Sequence, residues 1–301
     1  MPADIADPAS AWPAPAWTAP AWPAPARPAP DWEASAAAWI REQGEAGDYG
    51  RRCVLDAPML GRIARLSVAD ALDVGCGEGR FCRMLRARGI RAVGIDPTEA
   101  LLRRARALDP GGDYRHGRAE ALDVPPASFD LVVSYLSLID IDGLAPAVAG
   151  MAAALRPGGT LLIANLNPFF TAGMPQGWQQ AGPGEPRFHL DHYLEERAYQ
   201  AEWRGIRIRN WHRPLSTYMR LLLGNGLELR HFDEPAPVCG ARDGLVDGPV
   251  DGPVDGQAGG DPARAERYRR VPWFHLMEWR RPAAAPSDIE PSGATPVAPP
   301  P

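Results

Sequence analysis

Short apolar runs alternate with amphipathic stretches between residues 67 and 166, and this alternation constrains the fold more than any other feature of the chain. The apolar runs predict buried strands at residues 71–74, 92–95, 129–134 and 160–166. The stretches between them predict helices at residues 79–87, 97–108 and 144–155. Strands that alternate with helices form parallel sheets with right-handed crossovers and helices on both faces. The sequence therefore predicts an α/β, doubly wound domain.

Further predicted elements flank this central series. Upstream, residues 31–66 contain two predicted helices that could cap one end of a site. Downstream, a helix is predicted at residues 214–223, and two strands at residues 227–232 and 273–279. Together with a further strand that ends before residue 117, an antiparallel C-terminal hairpin of these two strands would complete a Rossmann-like, seven-stranded sheet that is mostly parallel.

The two ends of the chain and one internal segment have compositions that do not suit a packed core. Residues 1–30 and 282–301 are rich in Pro and Ala, and repeated prolines remove the backbone donors of regular structure, so we expect disordered arms. Residues 240–266 include a Val-Asp-Gly-Pro repeat and predict a flexible loop. The domain between the arms is residues 31–281, and its long aromatic segment at residues 167–213 predicts a small cap.

Charge and cysteine content limit the partners. The formal net charge of −5 gives no general attraction for nucleic acid or anionic membranes, so neither is expected as a partner. The chain has no long apolar run and no secretion signal at its N-terminus, which predicts a cytoplasmic protein. Its four cysteines, Cys53, Cys76, Cys82 and Cys239, form no CxxC pair, so we expect reduced thiols and no metal site.

Residues 71–80, Ala-Leu-Asp-Val-Gly-Cys-Gly-Glu-Gly-Arg, lead from a predicted strand directly into a glycine-rich turn and a helix. Gly75 and Gly77 let a ligand approach the main chain, and the free amides of the helix N-terminus favour an anionic group. Arg80 stands where the dinucleotide-binding fingerprint requires a small residue. Asp73, before the turn, could serve a cationic ligand. The segment therefore suits a small zwitterion better than a pyrophosphate.

The second strand ends in Gly-Ile-Asp-Pro, residues 94–97, which places Asp96 at the carboxyl edge of the sheet beside the glycine turn. A carboxylate at this position can accept two hydrogen bonds from a ribose diol. The segments at residues 117–122 and 134–138 follow two further strands and should lie at the same edge. The sequence therefore predicts a nucleoside site there.

Four segments in this order resemble the successive motifs of class I S-adenosylmethionine (SAM)-dependent methyltransferases. They are Leu-Asp-Val-Gly-Cys-Gly-Glu-Gly at 72–79, Gly-Ile-Asp-Pro at 94–97, Ser-Phe-Asp-Leu-Val-Val-Ser at 128–134 and Leu-Arg-Pro-Gly-Gly-Thr-Leu-Leu-Ile at 155–163. The resemblance covers about residues 45–166. It implies an enzyme that uses SAM as its cofactor, transfers its methyl group to an acceptor and releases S-adenosylhomocysteine (SAH). Residues 212–229 and 273–280 are similar to the C-terminal part of the family's small-molecule branch, which implies a small-molecule acceptor.

The resemblance also implies which residues bind the cofactor. The turn after the first strand would hold the methionine part, Asp96 the ribose and the loop at residues 119–120 the adenine. The implied cofactor-binding residues are Asp73, Gly75, Cys76, Gly77, Asp96, Pro97, Ala119, Glu120, Ser134, Tyr135 and Leu136. Arg51 or Tyr49 could close over the site from the N-terminal helices. Arg118 replaces an Asp that often bonds the adenine amine in relatives, so Glu120 or a backbone carbonyl would substitute for it.

No catalytic base is identified by the sequence. His189, His192 and His212 lie in the predicted cap, where a neutral imidazole could take a proton from a hydroxyl acceptor. Each of them also fits a structural role. Methyl transfer can also proceed by alignment alone, because the sulfonium is already activated. The three histidines are therefore only candidates.

Two other functions stay open at this point. An NAD(P)-dependent Rossmann oxidoreductase would use a similar strand, turn and helix, but Arg80 and the Pro-Gly-Gly turn at residues 157–159 disfavour it. A non-catalytic SAM-fold binding protein would not need Asp73, both glycines and Asp96. The sequence leaves open the acceptor and whether the protein is a monomer or a homodimer.

Overall fold

The computed structural model describes residues 32–180, 182–239 and 262–283. Its strands are β1 (Asp70–Val74), β2 (Arg91–Asp96), β3 (Asp113–His116), β4 (Phe129–Tyr135), β5 (Leu155–Leu166), β6 (Trp178–Gln179), β7 (Arg187–Phe188), β8 (Arg197–Trp203), β9 (Ile206–His212), β10 (Glu228–Asp233) and β11 (Phe274–Arg280). Its helices are α1 (Trp32–Gln43), α2 (Asp56–Ile63), α3 (Arg80–Arg86), α4 (Glu99–Leu108), α5 (Leu144–Ala154), α6 (Pro168–Ala172), α7 (Leu215–Gly224) and α8 (Pro262–Arg270). A π-helical turn spans Arg51–Leu55, and a 3₁₀ turn spans Ala119–Ala121.

Seven strands form the central sheet, in the order β10-β11-β5-β4-β1-β2-β3. Strands β1 to β5 are parallel, and β11 runs antiparallel to both β5 and β10. This confirms the predicted mostly parallel sheet with an antiparallel C-terminal hairpin. The chain order reverses between β1 and β4, and open α/β sheets bind ligands outside the carboxyl ends of the strands at such a switch point. The fold therefore places the site at the ends of β1, β2 and β4.

Side chains that alternate along β4 show how both faces of the sheet are covered. Leu131 and Val133 belong to the core cluster that contains Leu85 of α3. Val132 points to the other face and belongs to the cluster that contains Met151 of α5. Both layers are buried, which explains why the strands read as continuous apolar runs in the sequence.

The predicted cap, residues 167–213, connects β5 to α7. It contains α6, the small hairpin β6–β7 and the longer antiparallel hairpin β8–β9. Ile206 and Ile208 on the buried face of β9 pack with Ala38 of α1, so the hairpin and the N-terminal helix support each other. Because β8–β9 also borders the cavity at the sheet edge, the cap forms one wall of the site.

The predicted disordered arms lie largely outside the described residues, as do residues 240–261 of the predicted loop. The loop, predicted to reach residue 266, ends sooner because α8 begins at Pro262. Proline suits the first turn of a helix, where an amide donor is not needed. Ala265 and Tyr268 bury one face of α8. Residues 262–266 therefore belong to a packed helix.

A disulfide joins two of the four cysteines, which corrects the expectation of reduced thiols throughout. Cys53, in the π-helical turn, bonds to Cys239, and their Cα atoms lie 5.1 Å apart. The amide of Val238 also donates to the carbonyl oxygen of Cys53 at 2.8 Å. The two cysteines are 186 residues apart, so only the long-range packing of the fold brings them together. Cys76 and Cys82 are free and buried.

Thiol titration is expected to detect this disulfide. The denatured, unreduced protein should react at the two free cysteines only, and at all four after reduction. Because the cross-link restricts the unfolded chain, reduction should lower the free energy of unfolding by about 2–5 kcal/mol. Cys239→Ser without reductant should unfold like the reduced wild type. Four reactive thiols in unreduced protein would show that the bond does not form.

Among the described residues, no helix combines the length and apolar character needed to cross a membrane. In the same part of the chain, no three His, Cys, Asp or Glu side chains are grouped so as to hold a metal ion.

Candidate active site

The glycine turn after β1 opens its main chain to a cavity at the carboxyl edge of the sheet. Gly77 has a φ of +55°, and among the described residues a Cβ there would meet only Leu101, 3.9 Å away. The amides of Gly75 and Cys76 donate to the carbonyl oxygen of Ile95, at 2.8 and 3.1 Å, which fixes the turn to β2. The backbone at Gly77 therefore leaves room for a ligand.

Asp73 is a buried carboxylate beside the turn. It is 1% exposed and borders the cavity. Its Oδ2 accepts from the Cys82 thiol at 3.5 Å, whereas its Oδ1 has no hydrogen-bond partner in the described part of the chain. Burial raises the pKa of Asp73 to about 7, and the nearby carboxylates of Asp96 and Glu78 contribute to the rise. A buried carboxylate of this kind is suited to a positively charged ligand.

Asp96 links the end of β2 to the glycine turn. Its Oδ2 accepts from the amide of Gly77 at 2.9 Å, and its Oδ1 accepts from the amide of Thr98 at 2.8 Å. Burial raises the pKa of Asp96, although these two amides oppose the rise. A carboxylate has about four acceptor positions, so Asp96 retains capacity for ribose hydroxyl groups.

The end of β4 forms the opposite wall. Tyr135 and Leu136 border the cavity, and Leu136 has a φ of +59°, which non-glycine residues rarely adopt. Ser134 is fully buried and does not border the cavity. Its hydroxyl lies 2.7 Å from that of Ser137, which in turn donates to the carbonyl oxygen of Val74 at 2.6 Å. The structure therefore brings Ser137, and not Ser134, to the cavity wall.

Arg51 covers the cavity from the π-helical turn. Its guanidinium lies 4.9 Å from the ring centre of Trp39 and 5.6 Å from that of Tyr135. It also forms an ion pair with Asp48 at 2.6 Å. Tyr49, the alternative from the sequence, does not border the cavity and is buried. Of the two residues, only Arg51 is therefore positioned to close over a ligand.

The 3₁₀ turn that contains Ala119 and Glu120 borders another part of the cavity. The Glu120 carboxylate accepts from Arg118 and from the amide of Gly143, both at 3.4 Å. The side chain of Arg118 is 63% exposed, and its guanidinium is the cation that pairs with Glu120. Arg118 replaces the Asp that relatives often have here. Glu120 therefore supplies the carboxylate in this part of the cavity, as the sequence suggested.

All of these walls enclose one cavity of about 1070 Å³. Ten of the eleven cofactor-binding residues implied by the sequence border it, namely Asp73, Gly75, Cys76, Gly77, Asp96, Pro97, Ala119, Glu120, Tyr135 and Leu136. Ligand pockets typically measure about 300–1,000 Å³. The cavity is therefore large enough for a nucleoside cofactor together with a second small molecule.

The three candidate histidines do not border this cavity. His189 and His192 are exposed, and His192 lies 2.8 Å from Glu195, which raises its pKa. His212 is buried, with Nδ1 2.7 Å from the Thr171 hydroxyl and Nε2 2.8 Å from a carbonyl oxygen. Burial lowers the pKa of His212, and both of its ring nitrogens are engaged. The structure therefore does not bring these side chains to the site.

Curated relatives of the chain include methyltransferases from several bacteria. The chain is 29% identical over 179 residues to a malonyl-[acyl-carrier protein] O-methyltransferase of Enterobacter lignolyticus, a match that covers 59% of this chain and 70% of that one. It is 28% identical over 150 residues to a protein of the same name from Pseudescherichia vulneris, covering 49% and 59%. The chain thus spans little more than half the length of the second relative.

A family model described as a methyltransferase domain matches residues 72–163, which include the glycine turn, Asp96 and the end of β4. A solved structure, the SAM-dependent methyltransferase of Mesorhizobium loti, is similar with a TM-score of 0.57 at 29% identity, over 74% of this chain and 96% of that one. Residues 72–163 are a methyltransferase domain, and the chain is similar to SAM-dependent methyltransferases. SAM is accordingly the cofactor of this methyltransferase.

The chemistry of SAM fits the groups that this methyltransferase offers. SAM carries an ammonium group, a sulfonium, a carboxylate, a ribose and an adenine. Oδ1 of Asp73, which has no hydrogen-bond partner among the described residues, suits a cation, and the open backbone at Gly77 suits close approach of the ligand. Acceptor capacity remains on Asp96 for the ribose.

Several residues that border the methyltransferase cavity were not predicted from the sequence. Asp140 follows β4 in the loop at the sheet edge, and an acidic residue in such a loop is a signal that sequence reasoning could have used. Asn210 lies on the buried face of β9 beside Ile206 and Ile208, where a polar residue is unexpected. Trp32 and Trp39 cover the cavity from α1, and nothing local in the sequence indicates their direction.

Gly75→Ala is expected to unfold the turn of the methyltransferase and to abolish SAH binding. Gly75 has a φ of +81°, and a Cβ there would lie 2.3 Å from the Cβ of Ser137. A left-handed backbone costs a non-glycine residue about 1–2 kcal/mol, and the clash adds to this cost. Gly89→Ala is the matched control, because Gly89 has a φ of +79° with no described atom within 4 Å. Equal melting temperatures of the two variants would contradict the prediction.

Proposed function

We propose that the methyltransferase binds SAM along the carboxyl edge of β1, β2 and β4. In this proposal Asp73 and the turn from Gly75 to Gly77 hold the methionine part, and Asp96 with Pro97 holds the ribose. Ala119 and Glu120 flank the adenine, and Tyr135 and Leu136 form the wall beside the sulfonium. Support comes from their common cavity and from the oxygen of Asp73 that no described residue contacts by a hydrogen bond.

The chemistry that SAM supplies when bound is an activated methyl group on a sulfonium. The protein contributes alignment of the acceptor with that group and exclusion of water. Arg51, packed on Trp39 and Tyr135, would act as a cover that keeps the reacting atoms dry. This role needs no covalent intermediate with the protein and no metal.

The acceptor is, we propose, a small and partly apolar molecule. The part of the cavity beyond the cofactor residues has aromatic walls, formed by Trp39, Tyr199 and Trp203 and by Phe170 and Trp273. Flat apolar walls of this kind favour planar or apolar ligands. The names of the two bacterial relatives specify O-methylation, which favours an oxygen nucleophile here as well.

The observation that carries the proposal is that Asp73 and Asp96, buried without a cationic partner in the described part of the chain, meet the open glycine turn in one cavity. Calorimetry with SAH, with NAD as the comparison ligand, tests it. SAH should bind with one site per chain, and NAD at millimolar concentration should not bind. Binding of NAD but not SAH would instead support an oxidoreductase, and binding of neither would support a non-catalytic role.

Three broader expectations remain predictions. We propose that the protein is cytoplasmic, acts without nucleic acid and is a monomer or a homodimer. Disulfides are uncommon in the cytosol, so the bond between Cys53 and Cys239 runs counter to a cytoplasmic location. Fractionation with thiol trapping tests the first expectation, and sedimentation with and without nucleic acid tests the others.

A further inference from the structure

Three carboxylates that border the cavity have no cationic partner within 4.0 Å among the described residues. They are Asp73, Asp96 and Asp140, whereas each other acid in the wall faces an arginine, as Glu42 faces Arg204. Removing a carboxylate from water without a cation is costly, and such groups are concentrated at functional sites. Since Asp73 and Asp96 are proposed to bind SAM, Asp140 remains without a role.

Asp140 lies at the junction between the sheet edge and the cap. Its amide donates to the carbonyl oxygen of Ser137 at 3.0 Å, which holds it in a tight turn after β4. Its carboxylate accepts a hydrogen bond from Asn210 on β9, and Trp32 on α1 lies near enough to lower its pKa. Tyr199 on β8 borders the same cavity and lies close enough for Asp140, together with burial, to raise its pKa. The carboxylate therefore faces the cap, on the side of the cavity proposed for the acceptor.

One side-chain donor among the described residues does not saturate this carboxylate. A carboxylate has about four acceptor positions, so the bond from Asn210 orients Asp140 and leaves capacity for a donor on a bound molecule. When Asp140 is ionised, which is the form that can act as a base, an acceptor that carries a carboxylate would meet a like charge at this point, which is unfavourable. An acceptor with an O–H group would instead complete the hydrogen bonding.

We propose that Asp140 takes the proton of a hydroxyl acceptor during methyl transfer, and that the substrate is therefore a small aromatic alcohol or phenol and not a carboxylate. This inference rests on the proposed function. An oxygen lone pair of the acceptor forms the new bond to the methyl carbon, and the bond between that carbon and sulfur breaks with its electron pair left on sulfur. The O–H bond breaks, and its proton moves to an oxygen of Asp140. A neutral amine attacks without a base, so the positioned carboxylate favours a hydroxyl.

The electrostatic surroundings of Asp140 suit this role. Burial raises the pKa of Asp140 to about 8, and the negative charge of Asp96 contributes to this rise. The hydrogen bond from Asn210 and the nearby side chains of Trp32 and Arg51 lower the pKa and so limit the rise. A base works best when its pKa lies near the working pH. The rate of methyl transfer should therefore increase with pH through this range, because the deprotonated carboxylate is the active form.

Four probes that differ in the reacting group test the substrate class. Three are biphenyl compounds that carry a phenol, an amine or a carboxylic acid on the same ring system, and the fourth is malonyl pantetheine, which ends in a carboxylate. Transfer of labelled methyl from SAM should go to the phenol. Label on the amine or the carboxylates instead, or on none of the four, would overturn the proposal. Failure of SAH to bind the wild type would separately show that the proposed function is wrong.

Asp140→Asn tests the residue itself, with Asp191→Asn in the cap as the matched control because Asp191 is 88% exposed. Asp140→Asn should lower kcat for the phenol by about 10²–10⁴-fold, the usual contribution of a general base, with little change in KM. Its rate should lose the rise with pH, its SAH affinity by calorimetry should be unchanged, and Asp140→Glu should recover part of the rate. Unchanged kcat, or a loss of SAH affinity, would assign Asp140 to another role.

Discussion

Asp73→Asn is expected to weaken SAM and SAH binding by at least about 100-fold. Removing one member of a buried charged pair costs roughly 3 kcal/mol, which corresponds to this loss of affinity. The physical reason is that an amide cannot balance the cationic amino group that Asp73 is proposed to bind. Calorimetry with SAH measures the effect. Asp113→Asn on β3 is the control, because the carboxylate of Asp113 is half-exposed and pairs with Arg115.

The same substitution is expected to stabilise the ligand-free protein at high pH. Burial raises the pKa of Asp73 from 3.8 to about 7, so the folded state keeps this proton over a range in which the unfolded chain has lost it. Stability of the ligand-free protein should therefore fall as the pH rises between these two values, by on the order of 4 kcal/mol. Asn removes this dependence, so Asp73→Asn should be the more stable protein at pH 8. An identical pH dependence in both proteins would contradict the assignment.

Asp96→Ala is expected to weaken SAH binding by about 100-fold or more, because each hydrogen bond to a charged group contributes about 1.5–3 kcal/mol and a ribose offers two. Part of the loss could also come from the glycine turn, since Asp96 accepts from the amide of Gly77. An SAH analogue without the ribose hydroxyls separates the two causes. Wild type should prefer SAH to this analogue, and Asp96→Ala should bind both equally. A preserved preference in the variant would remove Asp96 from the ribose site.

The sequence predicted the central fold well because its signals are local. β1, β2 and β4 each coincide with an apolar run within one residue at either end, and the glycine turn follows β1 directly. The motif residues sit at strand ends, and parallel strands bring their carboxyl ends to one edge. Ten of the eleven implied residues could therefore be placed on one cavity without knowledge of side-chain packing.

The rest of the site depends on contacts between residues that lie far apart in the sequence. Asp140 acquires its surroundings from Trp32 on α1 and Asn210 on β9, and no local pattern shows that these three residues meet. The same is true of the bond between Cys53 and Cys239. The prediction for Ser134 was wrong for another reason. The motif position does not show which of two nearby serines, Ser134 or Ser137, points into the cavity.

A crystal structure with bound SAH would show whether this cavity is the cofactor site. We expect the amino group of SAH within hydrogen-bonding distance of Asp73, the backbone of Gly77 against the ligand, and the ribose hydroxyls within hydrogen-bonding distance of Asp96. Binding of SAH elsewhere would contradict this assignment of the cofactor site. So would SAH in this cavity with its ribose away from Asp96 and its amino group away from Asp73.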